Sequence, residues 1–461
     1  MSAVSLESAF GRKAWRRIQR INQFLTQHFP INKLQHSNSI RSMKTTTKLL
    51  CFSISLVAPL AANAADWTQY RGNGSGISPD PVAWKPAGLK EVWKQASTGG
   101  FSSFTIAEGR AFTHELKDVD GAMQEALVAR DAATGKVLWT QAFRPANYGH
   151  DGGNAGTPDN KGGDGPRSTP VIVGKMVVSL SAQLVLSAFD AVTGKPVWSN
   201  DLIANHAARN IQWQNAASPL FAGGLLYVAG GGPGQSILAI NPMTGKPVWK
   251  AFDEMMTHAT PVAANILGQG QIIFFLQSGL LAVEPRTGKQ LWRYNFPYKI
   301  STAASPVVAG DIVYCSAGYG VGAGAVKIAK QGNAFTATEI YRVPGDKELA
   351  NHWSTPVVKD GHMYGMFQFK NYGTGPVKCV EISTGKIKWS KEGFGPGHVV
   401  LVGNDVVALS DAGELVRLAA DPSEYKELGR QKVLGGKCWT TPAVAGGRVF
   451  VRSTTEAACL E

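Results

Sequence analysis

TGKVLW (134–139), TGKPVW (193–198), TGKPVW (244–249), TGKQLW (287–292) and TGKIKW (384–389) are one six-residue string written five times along the chain. The steps between their glycines are 59, 51, 43 and 97 residues, so the last step spans two periods and hides a degenerate copy. A second marker repeats independently: Ser or Thr followed by Pro and an apolar run, at Pro170, Pro219, Pro261, Pro306, Pro356 and Pro442. Its steps are 49, 42, 45, 50 and 86, again with one double step. The hidden copies are AVKIAKQGNAFTATEIYR (325–342) and HVVLVGNDVVALSDAGELVRL (398–418).

Each period reads as four strands. Pro opens the innermost strand, where no ladder donor is needed. A Gly/Asp turn leads to an alternating second strand, as in AGDIVYCSAG. The third strand is apolar, and Thr-Gly makes the hairpin into the fourth, glycine supplying the positive φ that a Cβ penalises. The fourth carries Trp139, Trp198, Trp249, Trp292 and Trp389 in equivalent places, where they are expected to pack blade on blade. Four-stranded periods of 40–50 residues specify a propeller rather than a sandwich or solenoid. Strand openings near 103, 169, 218, 260, 305, 355, 399 and 441 give eight blades. The eighth has room for three strands before Glu461, and LKEVWK (89–94) supplies the fourth. The expected fold is therefore all-β, an eight-bladed propeller of four-stranded antiparallel blades closed by its N- and C-terminal strands.

Ahead of the repeats, Met43, Lys44 and Lys48 precede an apolar run from Leu49 to Ala62 and an Ala-Asn-Ala site ending at Ala64. That order is a secretory signal peptide. The reading divides the chain into an upstream extension (1–42), a signal peptide (43–64), an N-terminal segment with the closing strand (65–100) and the propeller (101–461). A twin-arginine reading of Arg16-Arg17 lacks the apolar run directly after it, and Cys51 lies inside the apolar run rather than at a lipidation site. The mature protein is expected to be periplasmic or secreted, monomeric and without a membrane-inserted segment. Residues 1–64 hold nine Lys and Arg and one acid, so their removal lowers the formal net charge from +13 to +5. Nucleic-acid binding, which needs a clustered basic face, loses its support. Cys315, Cys379, Cys438 and Cys459 sit in apolar strand patterns and read as buried thiols rather than a disulfide framework.

The TGKxxW string, the Ser/Thr-Pro opening and the leading WTQYRGNGSG (67–76) resemble the exported pyrroloquinoline-quinone (PQQ) type repeat propellers over essentially the whole mature chain. The resemblance implies the fold directly. For activity it implies three classes: quinone-dependent dehydrogenases, a lipoprotein of outer-membrane assembly, and members without assigned function. Dehydrogenases of this superfamily hold PQQ between a Trp and a disulfide of adjacent cysteines, with Ca²⁺ on carboxylate and amide groups. This chain has no adjacent cysteine pair.

Three residues before each opening Pro the chain enters the inner strand at the funnel rim. Those residues are Arg167, Ala216, His258, Ala303, Trp353 and Trp439, with Phe101 in the first blade and Gly397 or His398 in the seventh. Trp353, Trp439 and Phe101 offer faces for a planar ring or sugar, and Arg167 can grip a carboxylate or phosphate. His258 and His398 are the candidate catalytic groups. The same large side chains could instead plug the axial hole. No rim position is acidic, so no metal ligand and no cofactor is assigned from the residues, PQQ with Ca²⁺ being implied by resemblance alone. The long connection from Phe143 to Arg167 reads as a flap, and its Asp151, Asp159 and Asp164 do not match a Ca²⁺ loop. His150 there reads as exposed. The sequence thus points to a binding or scaffold propeller engaging a small molecule, glycan or periplasmic protein. The alternatives are a quinoprotein oxidoreductase acting on an alcohol or sugar, and a sugar hydrolase or lyase working through His258 and His398.

Overall fold

Blade 1 shows how one period folds. Thr105–Ala107, Arg110–Val119, Ala122–Asp131 and Val137–Pro145 form a consecutive antiparallel sheet. In the turn before the fourth strand, one carboxylate oxygen of Asp131 accepts from the Ala133 and Thr134 backbones and from the Thr134 hydroxyl. Gly135 then takes φ 72°. Asp190 in blade 2 and Glu284 in blade 4 repeat the arrangement, and these bonds hold all three acids below their ordinary carboxylate range.

The chain is seen here as a computed structural model that describes residues 66–461, apart from 79, 86, 87, 146–164, 299, 301, 369, 370 and 372. The leader and most of the Phe143–Arg167 connection, including His150, Asp151, Asp159 and Asp164, lie outside the described residues. Eight sheets follow one another as blades. After blade 1, their inner strands are Val171–Val173, Leu220–Ala222, Val262–Ile266, Val307–Ala309, Val357–Lys359, His398–Val402 and Ala443–Ala445. Glu91–Ala96 pairs antiparallel with Glu456–Leu460, so the N-terminal strand completes the last blade as the sequence requires.

Both repeat markers have a structural task between blades. The outer-strand indole of one blade lies on the turn glycine of the next: Trp93 on Gly135, Trp139 on Gly194, Trp198 on Gly245 and Trp249 on Gly288. Each indole N–H donates to a carbonyl in that same turn, from Ala132, Ala191, Pro242 and Pro285 respectively. Blade 5 lacks the Thr-Gly turn, and Trp292 donates instead to Gln271 within its own blade. At the axis, the hydroxyl of the Ser/Thr-Pro opening accepts from the equivalent backbone N–H one blade earlier. The Ser103 N–H donates to Thr169, the Thr169 N–H to Ser218 and the Ser218 N–H to Thr260. Buried backbone donors need partners, and this ring provides them where no ladder exists.

The leading WTQYRGNGSG segment closes one end of the axis. Trp67 exchanges backbone bonds with Ile106, the Thr68 carbonyl accepts from Ile172, and the Gln69 side chain accepts from the Phe221 N–H. Across the axis, Ile77–Ser78 runs parallel to Leu401–Val402. Between them the fully buried Arg71 donates to the carbonyls of Thr355, Pro356, Val399 and Ser75. Burial lowers its pKa to about 10, which leaves it charged at neutral pH. The four cysteines Cys315, Cys379, Cys438 and Cys459 are free and buried.

Candidate functional site

With Arg71 and its segment at one end, the other end of the axis is ringed by the connections that enter the inner strands. These connections are stitched to one another by backbone bonds from Phe101 to Pro166, His258 to Thr302 and Ala303 to His352. On them stands an arc of seven rings, each touching the next. Phe101 lies 5.2 Å from Trp439, which lies 4.8 Å from Trp353. Trp353 meets His352 at 5.0 Å, and His352 meets Tyr319 edge-on at 5.2 Å. Tyr319 stacks on Trp213 at 6.0 Å and 12°, and Trp213 reaches His258 at 6.3 Å. These are contact distances for aromatic pairs.

Cations border the arc. Arg167 donates to the Trp213 carbonyl at 2.5 Å, and the Lys437 ammonium sits 4.9 Å over the Trp439 ring. Four of the rim residues expected from sequence (Phe101, His258, Trp353 and Trp439) are therefore brought into one arc of rings, with Arg167 bound to its backbone. They are joined by Trp213, Tyr319, His352 and Lys437, which the repeat comparison does not single out. Their only sequence signal is position: Trp213 lies in the long connection from blade 2 to blade 3, and Tyr319 in a glycine-rich hairpin tip.

The backbone under the stacked pair is strained. Trp213, Gln214 and Tyr319 take φ values of 68°, 61° and 60°, a left-handed region that costs a bulky residue on the order of 1–2 kcal/mol. Strain of this kind persists where surrounding structure over-determines it, and it concentrates at functional sites.

His258 is buried against this pair. Desolvation, then the Arg167 charge, lower its pKa to about 3, against weaker opposition from hydrogen bonds with Gln214 and Gln212. It is a neutral imidazole at physiological pH, suited to hydrogen bonding rather than to carrying charge.

His398 needs a correction of register. The turn pairing Val402 with Asp405 matches the one pairing Lys359 with His362, so His398 is the counterpart of Thr355 and Pro396 is the rim residue of blade 7. The Trp353 indole N–H accordingly donates to the Pro396 carbonyl. His398 takes the place of the opening hydroxyl, its Nδ1 bonded to the Thr441 hydroxyl of blade 8 at 2.9 Å. Burial and the nearby Arg71 lower its pKa to about 3. His258 stands on the connection entering blade 4 and His398 at the start of the inner strand of blade 7.

One acidic group escaped the sequence reading. Glu125 pairs with Leu116 on the elongated hairpin of blade 1 and is fully buried, one oxygen accepting from the Ala182 N–H at 2.7 Å. Burial raises its pKa to about 7, against the Ala182 bond and the Arg167 charge.

Comparison with known proteins fits this architecture. The profile of the family described as outer membrane protein assembly factor BamB matches residues 123–391. The chain belongs to this PQQ-like repeat propeller family. The outer membrane protein assembly factor BamB of Moranella endobia (strain PCIT) is 25% identical over 269 residues, 56% of this chain and 66% of that protein. The match thus spans just under two thirds of that relative. Among solved structures, BamB from Moraxella catarrhalis superposes with a TM-score of 0.55 at 14% identity, covering 81% of this chain and 97% of that one. A quinohemoprotein alcohol dehydrogenase from Comamonas testosteroni gives 0.59 at 13% identity, covering 87% and 81%. At these identities the two structures share the fold.

The described rim does not fit PQQ with Ca²⁺. Trp353 and Trp439 face each other and Phe101 at contact distance, not a gap between plates. Among the described residues no three His, Cys, Asp or Glu side chains gather as a metal-binding group. The buried thiols lie on separate strands or in a loop, their pKa values raised by burial, that of Cys438 to about 12.

Proposed function

We propose that this chain is a periplasmic partner-binding scaffold, that the funnel rim carrying the ring arc is the docking face, and that its partner belongs to outer-membrane protein assembly. The observation that carries the reading is the seven-ring arc, strained at Trp213 and Tyr319 and flanked by Arg167 and Lys437. Large aromatic faces beside arginine are what well-packed interfaces use as anchors. The neutral state of His258 and His398 suits hydrogen bonding at this face better than carrying charge. Family membership supports the partner class, and the signal-peptide pattern at 43–64 supports the compartment. Among the described residues no helix is long and apolar enough to cross a membrane.

The test is site-specific photo-crosslinking from position 437 in growing cells, comparing the native rim with a Trp353→Ala, Trp439→Ala double variant. A discrete adduct with an envelope-assembly protein is expected, and it should vanish in the double variant while far-UV circular dichroism stays native. An adduct that persists unchanged removes the arc from the docking face. Binding of PQQ with Ca²⁺ at micromolar concentration, with dye reduction by an alcohol, would favour the dehydrogenase reading instead.

A further inference from the structure

The opposite face, where the inner hairpins and the Thr-Gly turns project, divides by blade. On blades 2 to 4 the tips carry Lys175, Lys195, Lys246, Arg286 and Lys289, all exposed, against only Asp190 and Glu284. On blades 6 to 8 the charges are mixed, Asp360, Asp405, Asp421, Glu424 and Glu461 offsetting Lys359, Lys386, Lys426 and Arg448.

Apolar side chains accompany the cations. Val192 is 52% exposed, Met243 66% and Leu267 45%, one at the tip of each of blades 2, 3 and 4. Leu267 is the telling residue. It takes φ 53° at a hairpin position where five other blades place glycine, namely Gly174, Gly223, Gly310, Gly403 and Gly446. Glycine there is free of strain, whereas leucine is strained and projects an apolar side chain into water. Blades 1 and 6 place the polar Glu108 and Asp360 there, also at positive φ, so Leu267 is the apolar exception.

Chain direction adds a further point. Residue 66 enters the propeller on this same face, since Trp67 pairs with Ile106 next to the Glu108–Gly109 hairpin tip of blade 1.

We propose that the tips of blades 2 to 4 form a peripheral docking surface for an anionic lipid bilayer. Lys195, Lys246 and Lys289 would meet the headgroups, and Met243, Leu267 and Val192 would enter the boundary of the acyl chains. An anionic bilayer suits the patch because its net charge is positive, its apolar groups are single side chains on separate tips rather than a groove, and the tips project from one face. This site is separate from the ring arc, and its failure would leave the scaffold reading untouched.

The test uses the propeller unit, residues 62–461, which contains all eight blades and the closing strand and lacks the apolar leader. Co-sedimentation is measured with phosphatidylglycerol-rich vesicles and with phosphatidylcholine vesicles. Binding is expected to the first, falling with salt, and not to the second. Reversal of Lys195, Lys246 and Lys289 to Glu should weaken it by at least about 100-fold, the loss of each basic residue at an anionic surface alone costing about a factor of five. Leu267→Gly with Met243→Ser should weaken it by about tenfold or more, and Leu267→Gly alone should leave the melting temperature unchanged or raised. Lys386→Glu with Lys426→Glu, on blades 6 and 7, should bind like the native chain. The proposal is overturned if the native unit ignores phosphatidylglycerol, if it binds both vesicles equally, or if the variants on blades 2 to 4 bind undiminished.

Discussion

Gly245→Ala should destabilise the propeller far more than a chemically identical change elsewhere. Gly245 holds φ +68°, and a Cβ there would stand 2.4 Å from Cε3 and 2.7 Å from Cδ2 of Trp198, the indole docked from the preceding blade. The left-handed conformation alone costs alanine about 1 kcal/mol. Displacing a rigid ring adds about 1–3 kcal/mol of overpacking. Tilting that ring also stretches the 2.8 Å bond from the Trp198 indole to the Pro242 carbonyl, worth about 1 kcal/mol. The expected total is about 3–5 kcal/mol. Gly223→Ala is the control, because Gly223 has φ +55° and nothing within 4 Å of the added methyl, so it should cost about 1 kcal/mol. Urea unfolding followed by circular dichroism, with exchange protection mapped across blades 2 and 3, separates the two. In a Trp198→Ala background Gly245→Ala should shrink to the cost of the control. Equal effects of the two glycine changes, or an effect independent of Trp198, would refute the docking argument.

Three further outcomes follow from buried polar groups. Glu125 has a folded pKa near 7, above its ordinary 4.5, so the native state binds its proton more tightly than the unfolded chain. Its penalty is absent below pH 4.5 and grows as pH rises to 7. Glu125→Gln should therefore stabilise the protein at pH 8, by up to about 3 kcal/mol, and flatten the pH dependence of urea midpoints in that window. His258 and His398 have folded pKa values near 3, below the ordinary 6.5, so stability is complete above pH 6.5 and is lost as pH falls towards 3. Their ring nitrogens should keep neutral-imidazole NMR shifts at pH 5, and imidazolium shifts there would show the burial argument wrong. Arg71→Met should leave several buried carbonyls unsatisfied, at about 1–3 kcal/mol each, and should expose segment 66–78 to proteolysis before the blades unfold. Simultaneous loss of segment and blades would mean that the plug is not a separate unit.

The eight blades were legible because two markers with different physical tasks repeat out of step. The indole needs a turn glycine on the next blade, and the Ser/Thr hydroxyl needs a backbone N–H on the previous one, so each pattern is copied wherever a blade must dock. Four ring positions of the rim, and Arg167 beside them, could be named for the same reason, since distance from the opening proline fixes where a side chain stands. His398 was misplaced because blade 7 has no proline to count from, and only the turn pairing of Val402 with Asp405 reveals its register. Trp213, Tyr319 and Glu125 lay outside any such count. Their positions depend on how far a connection or hairpin extends beyond the sheet, and no local periodicity records that.

The split between legible and illegible residues bears on where function can reside in such a ring. A residue repeated in most blades, such as the turn glycine or the docked tryptophan, is explained by the neighbour it holds. A residue that breaks the repeat is not. Leu267 replaces a strain-free glycine, Trp213 and Tyr319 accept left-handed backbones to meet across the funnel mouth, and Arg71 fills the axis that a ligand would otherwise traverse. Arg71 bonds the openings of blades 6 and 7 from within the axis, in the segment that enters from the end opposite the ring arc. On the two proposals made above, the ring arc docks a partner and the lysine-rich tips rest on a bilayer, from opposite ends of the axis.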